Sequence, residues 1–99
     1  MWDMTLIATF SDKALKRFWH KGSAKGIDPI SSDRLKRLLD ALDGATKPED
    51  MDVIGYGFNA LEGDCAGQYA VTISAQWRLV FEWKDGAPVK VRREGYHGC

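Results

Sequence analysis

The clearest pattern along the chain is the alternation of apolar and polar residues between positions 68 and 94. Apolar side chains stand there at every second position, at Tyr69, Val71, Ile73, Trp77, Leu79, Phe81, Trp83, Val89 and Val91. A period of two is typical of strands that are buried on one face. Turn-forming residues at positions 74–76 and 85–86 divide the stretch into three strands. The pattern therefore predicts an antiparallel meander with one apolar and one polar face.

The lengths of the two loops decide which residues pair, because a slip of one residue moves every side chain to the other face. A two-residue turn at Asp85-Gly86 would set Phe81 opposite Lys90 and break the apolar pattern. We therefore predict a three-residue loop, residues 84–86, with Gly86 in the left-handed position of a bulge. This register pairs Trp83 with Ala87, Phe81 with Val89 and Leu79 with Val91. A similar loop at residues 74–76 pairs Ile73 with Trp77, Val71 with Leu79 and Tyr69 with Phe81.

The polar face in this register, which we call the arginine face, carries Thr72, Arg78, Lys90 and Arg92. Arg78 and Arg92 stand directly opposite one another, where like charges repel. A phosphate between them would relieve this repulsion, since the guanidinium group matches phosphate oxygens. The alternative is a solvated sheet face on which Glu82 and Glu94 offset the positive charge.

Two amphipathic helices precede the meander. The first has apolar residues at helical spacing between an N-cap at Ser11 and a stop at Gly22. The second starts at Ser31 or Ser32, ends at Gly44 and carries the leucine stripe Leu35, Leu38, Leu39 and Leu42. Residues 5–10 and 58–61 read as further strands, and residues 45–57 as a long loop against the sheet edge.

These elements predict one α+β domain over residues 1–99, in the order β-α-α-β-β-β-β. Two N-terminal helices pack on one face of an antiparallel sheet of four to five strands and leave the arginine face open. Four Trp, four Phe and three Tyr in 99 residues supply one core. Met1 to Phe10 contains an acid and no long apolar run, so we expect a cytoplasmic protein. In that compartment Cys65 and Cys99 are expected to be free thiols.

Charge points to one local surface, because the 14 basic and 14 acidic residues cancel over the whole chain. The first helix and its end carry Lys13, Lys16, Arg17, His20, Lys21 and Lys25, and no acid lies between them. Acids at helical spacing normally pair with such residues. The run is therefore either a basic patch for RNA backbone or a solvated helix face.

Several linked segments together resemble the HigB toxins of the RelE/ParE superfamily, over nearly the whole chain. They are residues 14–22 (ALKRFWHKG), 34–43 (RLKRLLDALD), 45–52 (ATKPEDMD), 76–81 (QWRLVF), 85–86 (DG) and 96–97 (YH). The resemblance implies a RelE-like fold and the toxin of a type II toxin–antitoxin system. It also implies messenger RNA cleavage on the ribosome, and neutralisation by a helix-turn-helix antitoxin of the HigA type.

The resemblance carries Arg78, Tyr96 and His97 over as site residues, but the chain departs from the family pattern elsewhere. Asn59 and Glu62 stand where the family commonly has histidine and lysine, and Gly95 replaces an acid before the tyrosine. Glu62 is interpreted either as an ion-pair partner of Arg78 or Arg92, or as a general base. These departures predict an enzyme of reduced potency.

Metal-free RNA cleavage needs a base for the ribose 2′-hydroxyl, positive charge on the phosphate and an acid for the departing 5′-oxygen. His97 suits the acid or base role because histidine titrates near neutral pH. Tyr96 can stack on a base or orient a proton, and Arg78 and Arg92 can hold the phosphate. Thr72, Lys90 and the basic helix residues are candidate RNA contacts. No cofactor or metal is expected, since His20 and His97 lack partners at ligand spacing.

Two other functions stay open at the level of sequence. The first is a toxin-like binding module that keeps the antitoxin interface and has lost catalysis, for which Glu62 and Gly95 are the signature. The second is a gyrase inhibitor of the ParE branch, which is not known for the Trp-Arg and Tyr-His pairs. Mapping of transcript 5′ ends separates the enzyme from both.

Overall fold

The computed structural model describes residues 6–95, in which two helices pack on one face of a four-stranded antiparallel sheet. The helices are α1 (Lys13–Lys21) and α2 (Ser32–Gly44), and 3₁₀ turns occupy Pro48–Met51 and Gly63–Cys65. The strands are β1 (Asn59–Ala60), β2 (Gln68–Thr72), β3 (Trp77–Lys84) and β4 (Ala87–Gly95), and they lie side by side in that order. The predicted α+β class, with helices before the meander, is confirmed.

The predicted first strand is reduced to one parallel bridge, between Phe10 and Val91. The segment still follows the edge of β4, because the Ala8 amide donates to the Pro88 carbonyl and the Ser11 amide to the Val91 carbonyl. Helix α1 begins one residue later than predicted. Its N-cap is Asp12, whose carboxylate accepts from the Leu15 amide, and Gly22 ends it in the left-handed conformation (φ 69°).

The core lies between the helices and the apolar sheet face. The leucine stripe of α2 is fully buried and packs with Leu15, Val71, Leu79, Phe81 and Val91. Tyr69 and Trp83 pack on the same cluster, and the Tyr69 and Phe81 rings are stacked at 5.8 Å between centroids. The helical and strand periodicities therefore identified the same interface from its two sides.

The two hairpins differ in how well sequence predicted their registers. In the first, Tyr69 pairs with Phe81 and Val71 with Leu79, as predicted. In the second, the predicted three-residue loop is wrong: Asp85 and Gly86 form a two-residue turn with φ of 53° and 79°, and Lys84 pairs with Ala87. Positive φ at both central residues is the geometry that matches strand twist in a hairpin.

A bulge in β4 then corrects the register that this turn sets. Glu82 pairs with Val89 but Val80 pairs with Arg92, so β4 gains one residue between those pairs. Lys90 lies in the bulge at φ 53°. The extra residue returns buried Val91 to the apolar side, where the two-residue turn alone would not have placed it.

The long loop before β1 is attached to the sheet edge, as expected. The Thr72 amide donates to the Tyr56 carbonyl, and Arg34 of α2 donates to the carbonyls of Thr72 and Gly55 at 2.8 and 2.7 Å. Gly57 is required there, since a Cβ at φ 63° would lie 2.5 Å from the Thr72 hydroxyl oxygen.

Two further observations concern membrane-spanning helices and the cysteines. Neither helix within residues 6–95 has the length and apolar character that crossing a bilayer requires. The expectation of a free thiol at Cys65 is wrong, because this residue is disulfide-bonded. Cys99, the other cysteine of the sequence, lies outside the described residues.

Candidate functional site

The arginine face is built from three rows of side chains that cross the sheet. The row nearest the start of β3 contains Thr72, Arg78 and Glu94. The middle row contains Asn59, Ala70, Val80 and Arg92. The third contains Gln68, Glu82 and Val89. Paired residues of antiparallel strands point to the same side, so each row presents its side chains together.

The predicted opposition of Arg78 and Arg92 is wrong. Arg78 lies opposite Glu94, and Arg92 lies opposite Val80 in the next row. The cause is the combination of the two-residue turn with the bulge at Lys90, which shifts this part of β4 by two residues relative to the predicted pairing. The repulsion that suggested a phosphate between the two arginines is therefore absent from this register.

Arg92 is instead the centre of a hydrogen-bonded network. Its Nε donates to Glu94 Oε2 at 2.6 Å, Nη2 to Gln68 Oε1 at 2.9 Å and Nη1 to the Lys90 carbonyl at 2.7 Å. Glu82 Oε2 lies 3.7 Å from Nη1. The side chain is only 18% exposed. These contacts give Arg92 a structural role, and they make it a poor candidate for the predicted phosphate clamp.

Arg78 is buried, whereas the sequence predicted an open face around it. It is 5% exposed and lies on β3 two residues before fully buried Val80. Val80 forms a small apolar cluster with Leu61 and Ala70, against which Cys65 packs. The arginine face therefore has an apolar floor beside its charged groups.

The remaining predicted site residues are spread out. Glu62 is exposed and forms no ion pair with any described residue, so the predicted pairing with Arg78 or Arg92 is wrong. Thr72 is half-buried beside Arg78, and Lys90 is exposed in the bulge. Tyr96 and His97 lie outside the described residues. They follow Gly95, which ends β4 opposite Trp77.

The basic residues of α1 line one shallow groove. Lys13, Lys16, Arg17, His20 and Lys21 surround a volume of about 430 Å³, and Lys25 is exposed beyond the helix. Within residues 6–95, Lys13, Lys16, Arg17 and Lys21 have no acidic partner. The structure thus keeps together the positive charges that the sequence placed on one helix side.

Arg93 points to the opposite sheet face from Arg92, and the sequence did not predict its partner. Its Nε donates to Asp12 Oδ2 at 2.7 Å and its Nη2 donates to Asp12 Oδ1 at 3.1 Å. Its Nη1 donates to the Gly26 carbonyl. Burial alone would raise the pKa of Asp12, but hydrogen bonds from Arg93 and the Leu15 amide outweigh it and hold that pKa below its usual range. No local signal links two residues 81 positions apart.

A second cleft, of about 220 Å³, opens between α2 and the first hairpin. Leu35, Ile73 and half-exposed Trp77 form its apolar wall, and Ser31, Asp28 and Arg93 lie at its edge. The only sequence signal for it was Trp77 at the end of an apolar strand pattern.

As for metals, no three His, Cys, Asp or Glu side chains among residues 6–95 are grouped so that they could hold an ion.

Comparisons with known proteins agree on one family. A family model described as the RelE-like toxin of the type II toxin–antitoxin system HigB matches residues 8–93. The chain is 32% identical over 92 residues to Endoribonuclease HigB of Proteus vulgaris. That alignment covers 93% of this chain and 100% of the relative. It is 34% identical to Toxin HigB-1 of Vibrio cholerae over 78% of this chain and 83% of that protein.

A solved structure shares the fold. The crystal structure of YafQ from Escherichia coli superposes with a TM-score of 0.61 over 91% of this chain and 93% of that chain. Sequence identity is 18%, so this likeness concerns the fold alone.

Proposed function

This chain belongs to the HigB-like family of RelE-like toxins of type II toxin–antitoxin systems, and on that premise we propose that it is an endoribonuclease that cleaves messenger RNA on the ribosome. The observation that carries the proposal is the similarity to Endoribonuclease HigB over that protein's whole length. Its partner in a type II system is an antitoxin. We propose that this antitoxin is of the helix-turn-helix HigA type and that the toxin acts in the cytoplasm.

We assign the chemistry to the first row of the arginine face and to the two residues that follow β4. Arg78 offsets charge on the scissile phosphate, and His97 exchanges a proton with a ribose or leaving-group oxygen. Tyr96 stacks on a base or orients that proton. The register supports this grouping, because Gly95, which precedes Tyr96, pairs with Trp77, the neighbour of Arg78. Arg92 supports the face from within and does not contact substrate.

We assign ribosomal RNA contacts to Lys13, Lys16, Arg17, Lys21 and Lys25, with Lys90 and Thr72 as contacts to messenger RNA. Exposed cations that lack acidic partners lose little when they move to a phosphate backbone. The departures at Asn59, Glu62 and Gly95 favour a slower enzyme than relatives that keep histidine, lysine and aspartate there.

The test is cleavage of a defined messenger RNA on purified translating ribosomes, with the 5′ ends mapped and the same RNA incubated without ribosomes. We expect cuts inside translated codons, on ribosomes only, that leave a 2′,3′-cyclic phosphate. His97→Gln should slow cleavage by about 10²-fold or more. Arg78→Lys is preferred over alanine because Arg78 is buried and truncation would also remove packing.

Absence of cleavage together with tight antitoxin binding would overturn the proposal in favour of a binding module. Altered DNA supercoiling in cells that express the toxin would favour gyrase inhibition. A folded His97→Gln variant that cleaves at the wild-type rate would remove that residue from the site while leaving the enzyme assignment intact.

A further inference from the structure

The proposed reaction needs two proton-transfer groups, and one histidine does not supply both at once. A base must take the 2′-hydroxyl proton while an acid protonates the departing 5′-oxygen. Resting on the proposed function, we infer that Glu94 is the general base of this site. Of the carboxylates on the arginine face, Glu94 is the one in the same cross-strand row as Arg78.

The position of Glu94 is set by the β3–β4 register. Arg78 and Glu94 are direct cross-strand partners, and such residues have Cβ atoms about 4.5–5.5 Å apart. Both therefore face one small area beside Thr72, which pairs with Arg78 from the other side. A phosphate that approaches the Arg78 guanidinium would bring its own ribose within reach of the Glu94 carboxylate.

The orientation of Glu94 is set by Arg92. Arg92 Nε donates to Glu94 Oε2 at 2.6 Å, and Gln68 and the Lys90 carbonyl hold the rest of the guanidinium. Oε1 accepts no hydrogen bond from any residue of the described chain. The Glu94 side chain is 37% exposed, so one oxygen is fixed while the other can accept a proton from a bound molecule.

Two other carboxylates provide internal comparisons. Glu82 also lies on the arginine face and contacts Arg92, but it stands four residues from Arg78 along β3, about 13 Å at strand spacing. Glu62 is exposed and unpaired among residues 6–95, and it lies beyond the two-residue strand β1, outside the row of Arg78. Neither therefore shares the geometry of Glu94.

The chemical step balances without a metal or a further reactant. The Glu94 carboxylate takes the 2′-hydroxyl proton as the 2′-oxygen forms a bond to the adjacent phosphorus. The bond from phosphorus to the 5′-oxygen breaks, and His97 gives its proton to that oxygen. The products are a 2′,3′-cyclic phosphate and a 5′-hydroxyl, with one proton moved from Glu94 back to His97 through solvent.

The experiment is single-turnover cleavage on ribosomes by wild type, Glu94→Gln, Glu94→Asp, the matched control Glu82→Gln, and Glu62→Gln, which tests the other candidate base. Glutamine keeps the oxygen that accepts from Arg92 but is a very weak base. We expect Glu94→Gln to lower the cleavage rate by about 10²–10⁴-fold with unchanged ribosome affinity. Glu94→Asp should retain more activity than Glu94→Gln, and the control Glu82→Gln should stay within about 3-fold of wild type.

The outcomes separate this inference from the proposed function. Wild-type protein that does not cleave overturns the enzyme assignment and the role of Glu94 with it. If wild type cleaves and Glu94→Gln cleaves at the same rate, the role of Glu94 is wrong and the enzyme assignment stands. An equal loss in Glu94→Gln and Glu82→Gln assigns the effect to support of Arg92, and a loss confined to Glu62→Gln transfers the base role to Glu62. Equal thermal midpoints of all five proteins exclude unfolding as the cause.

Discussion

At the scale of single residues, the adjacent arginines Arg92 and Arg93 bind partners on opposite faces of β4. Arg92 binds acceptors on the arginine face, and Arg93 binds Asp12 on the helix side. Alternation along a strand places neighbouring side chains such as these on opposite faces of the sheet. It did not predict their partners, because Asp12 is distant in sequence and because a charged residue in a strand pattern is ordinarily counted as exposed. Arg78, buried at 5% exposure, was misjudged for the same reason.

The ion pair between Asp12 and Arg93 makes a prediction about stability and pH. Both side chains are mostly buried, at 14% and 26% exposure, and the pair is bidentate. Asp12→Asn keeps an N-cap but removes the charge, so it should lower the free energy of unfolding at pH 7 by about 1–2 kcal/mol. Urea denaturation measures this loss.

The pH dependence follows from the direction of the pKa shift. The pKa of Asp12 in the folded protein lies below the ordinary aspartate value of 3.8, so the carboxylate stabilises the fold fully above that value. The stabilisation is lost as pH falls through the lowered folded pKa. The difference between wild type and Asp12→Asn should therefore shrink under acid conditions. Asp40→Asn is the control, because its pair with Lys36 is 55% exposed on both sides and should contribute under about 0.5 kcal/mol.

At the scale of elements, the two hairpins show what a strand pattern can predict. The first register followed from the apolar alternation because no residue is inserted between Tyr69 and Phe81 except the loop itself. In the second, the turn and the bulge each shift the pairing, and their combined effect leaves apolar residues on the core side. The alternation of β4 is compatible with either arrangement. Lys90 in left-handed conformation gave no glycine signal for the bulge.

We predict opposite changes in stability when alanine replaces Gly86 in this turn and Gly44 at the end of α2. Gly86 has φ 79°, which an alanine adopts only with strain, so Gly86→Ala should lower the free energy of unfolding by about 1 kcal/mol. Gly44 ends α2 without positive φ, and an added Cβ would meet nothing within 4 Å. Gly44→Ala should therefore raise stability by up to about 1 kcal/mol. Thermal and urea unfolding would contradict the assigned turn if both changes had the same sign.

The interface of α2 with the sheet predicts a larger loss. Leu38 has 0% exposure in the cluster that contains Leu79 and Phe81. Leu38→Ala should lower the free energy of unfolding by about 2–5 kcal/mol, because it removes buried methyl groups and leaves a cavity. Arg37→Ala, at the exposed neighbouring position, is the control and should change it by less than about 0.5 kcal/mol. A loss of similar size in both variants would mean that Leu38 does not pack as described.

At the scale of the whole molecule, the fold class, the buried helix face and the family were predictable because each rests on a pattern repeated over many residues. The leucine stripe, for example, specifies one helix face four times. The charge network of the arginine face was not predictable, since it depends on one inserted residue at Lys90 that changes which row Arg92 and Glu94 occupy. A register error of two residues leaves the same side chains in the core, but it changes which charged side chains lie next to one another on the arginine face.

Uneven charge on a neutral molecule gives the last prediction. The 14 Lys and Arg residues and the 14 acidic residues cancel overall, yet the α1 groove gathers four Lys and Arg side chains together with His20. If these residues contact ribosomal RNA, replacing Lys13, Lys16 and Arg17 with glutamine should weaken ribosome binding and lower the slope of log affinity against log salt by about 2–3. The control replaces Arg37, Lys47 and Lys84, which are exposed elsewhere, and changes net charge equally. Equal effects of the two triple variants would mean that total charge, and not the α1 groove, directs the protein to the ribosome.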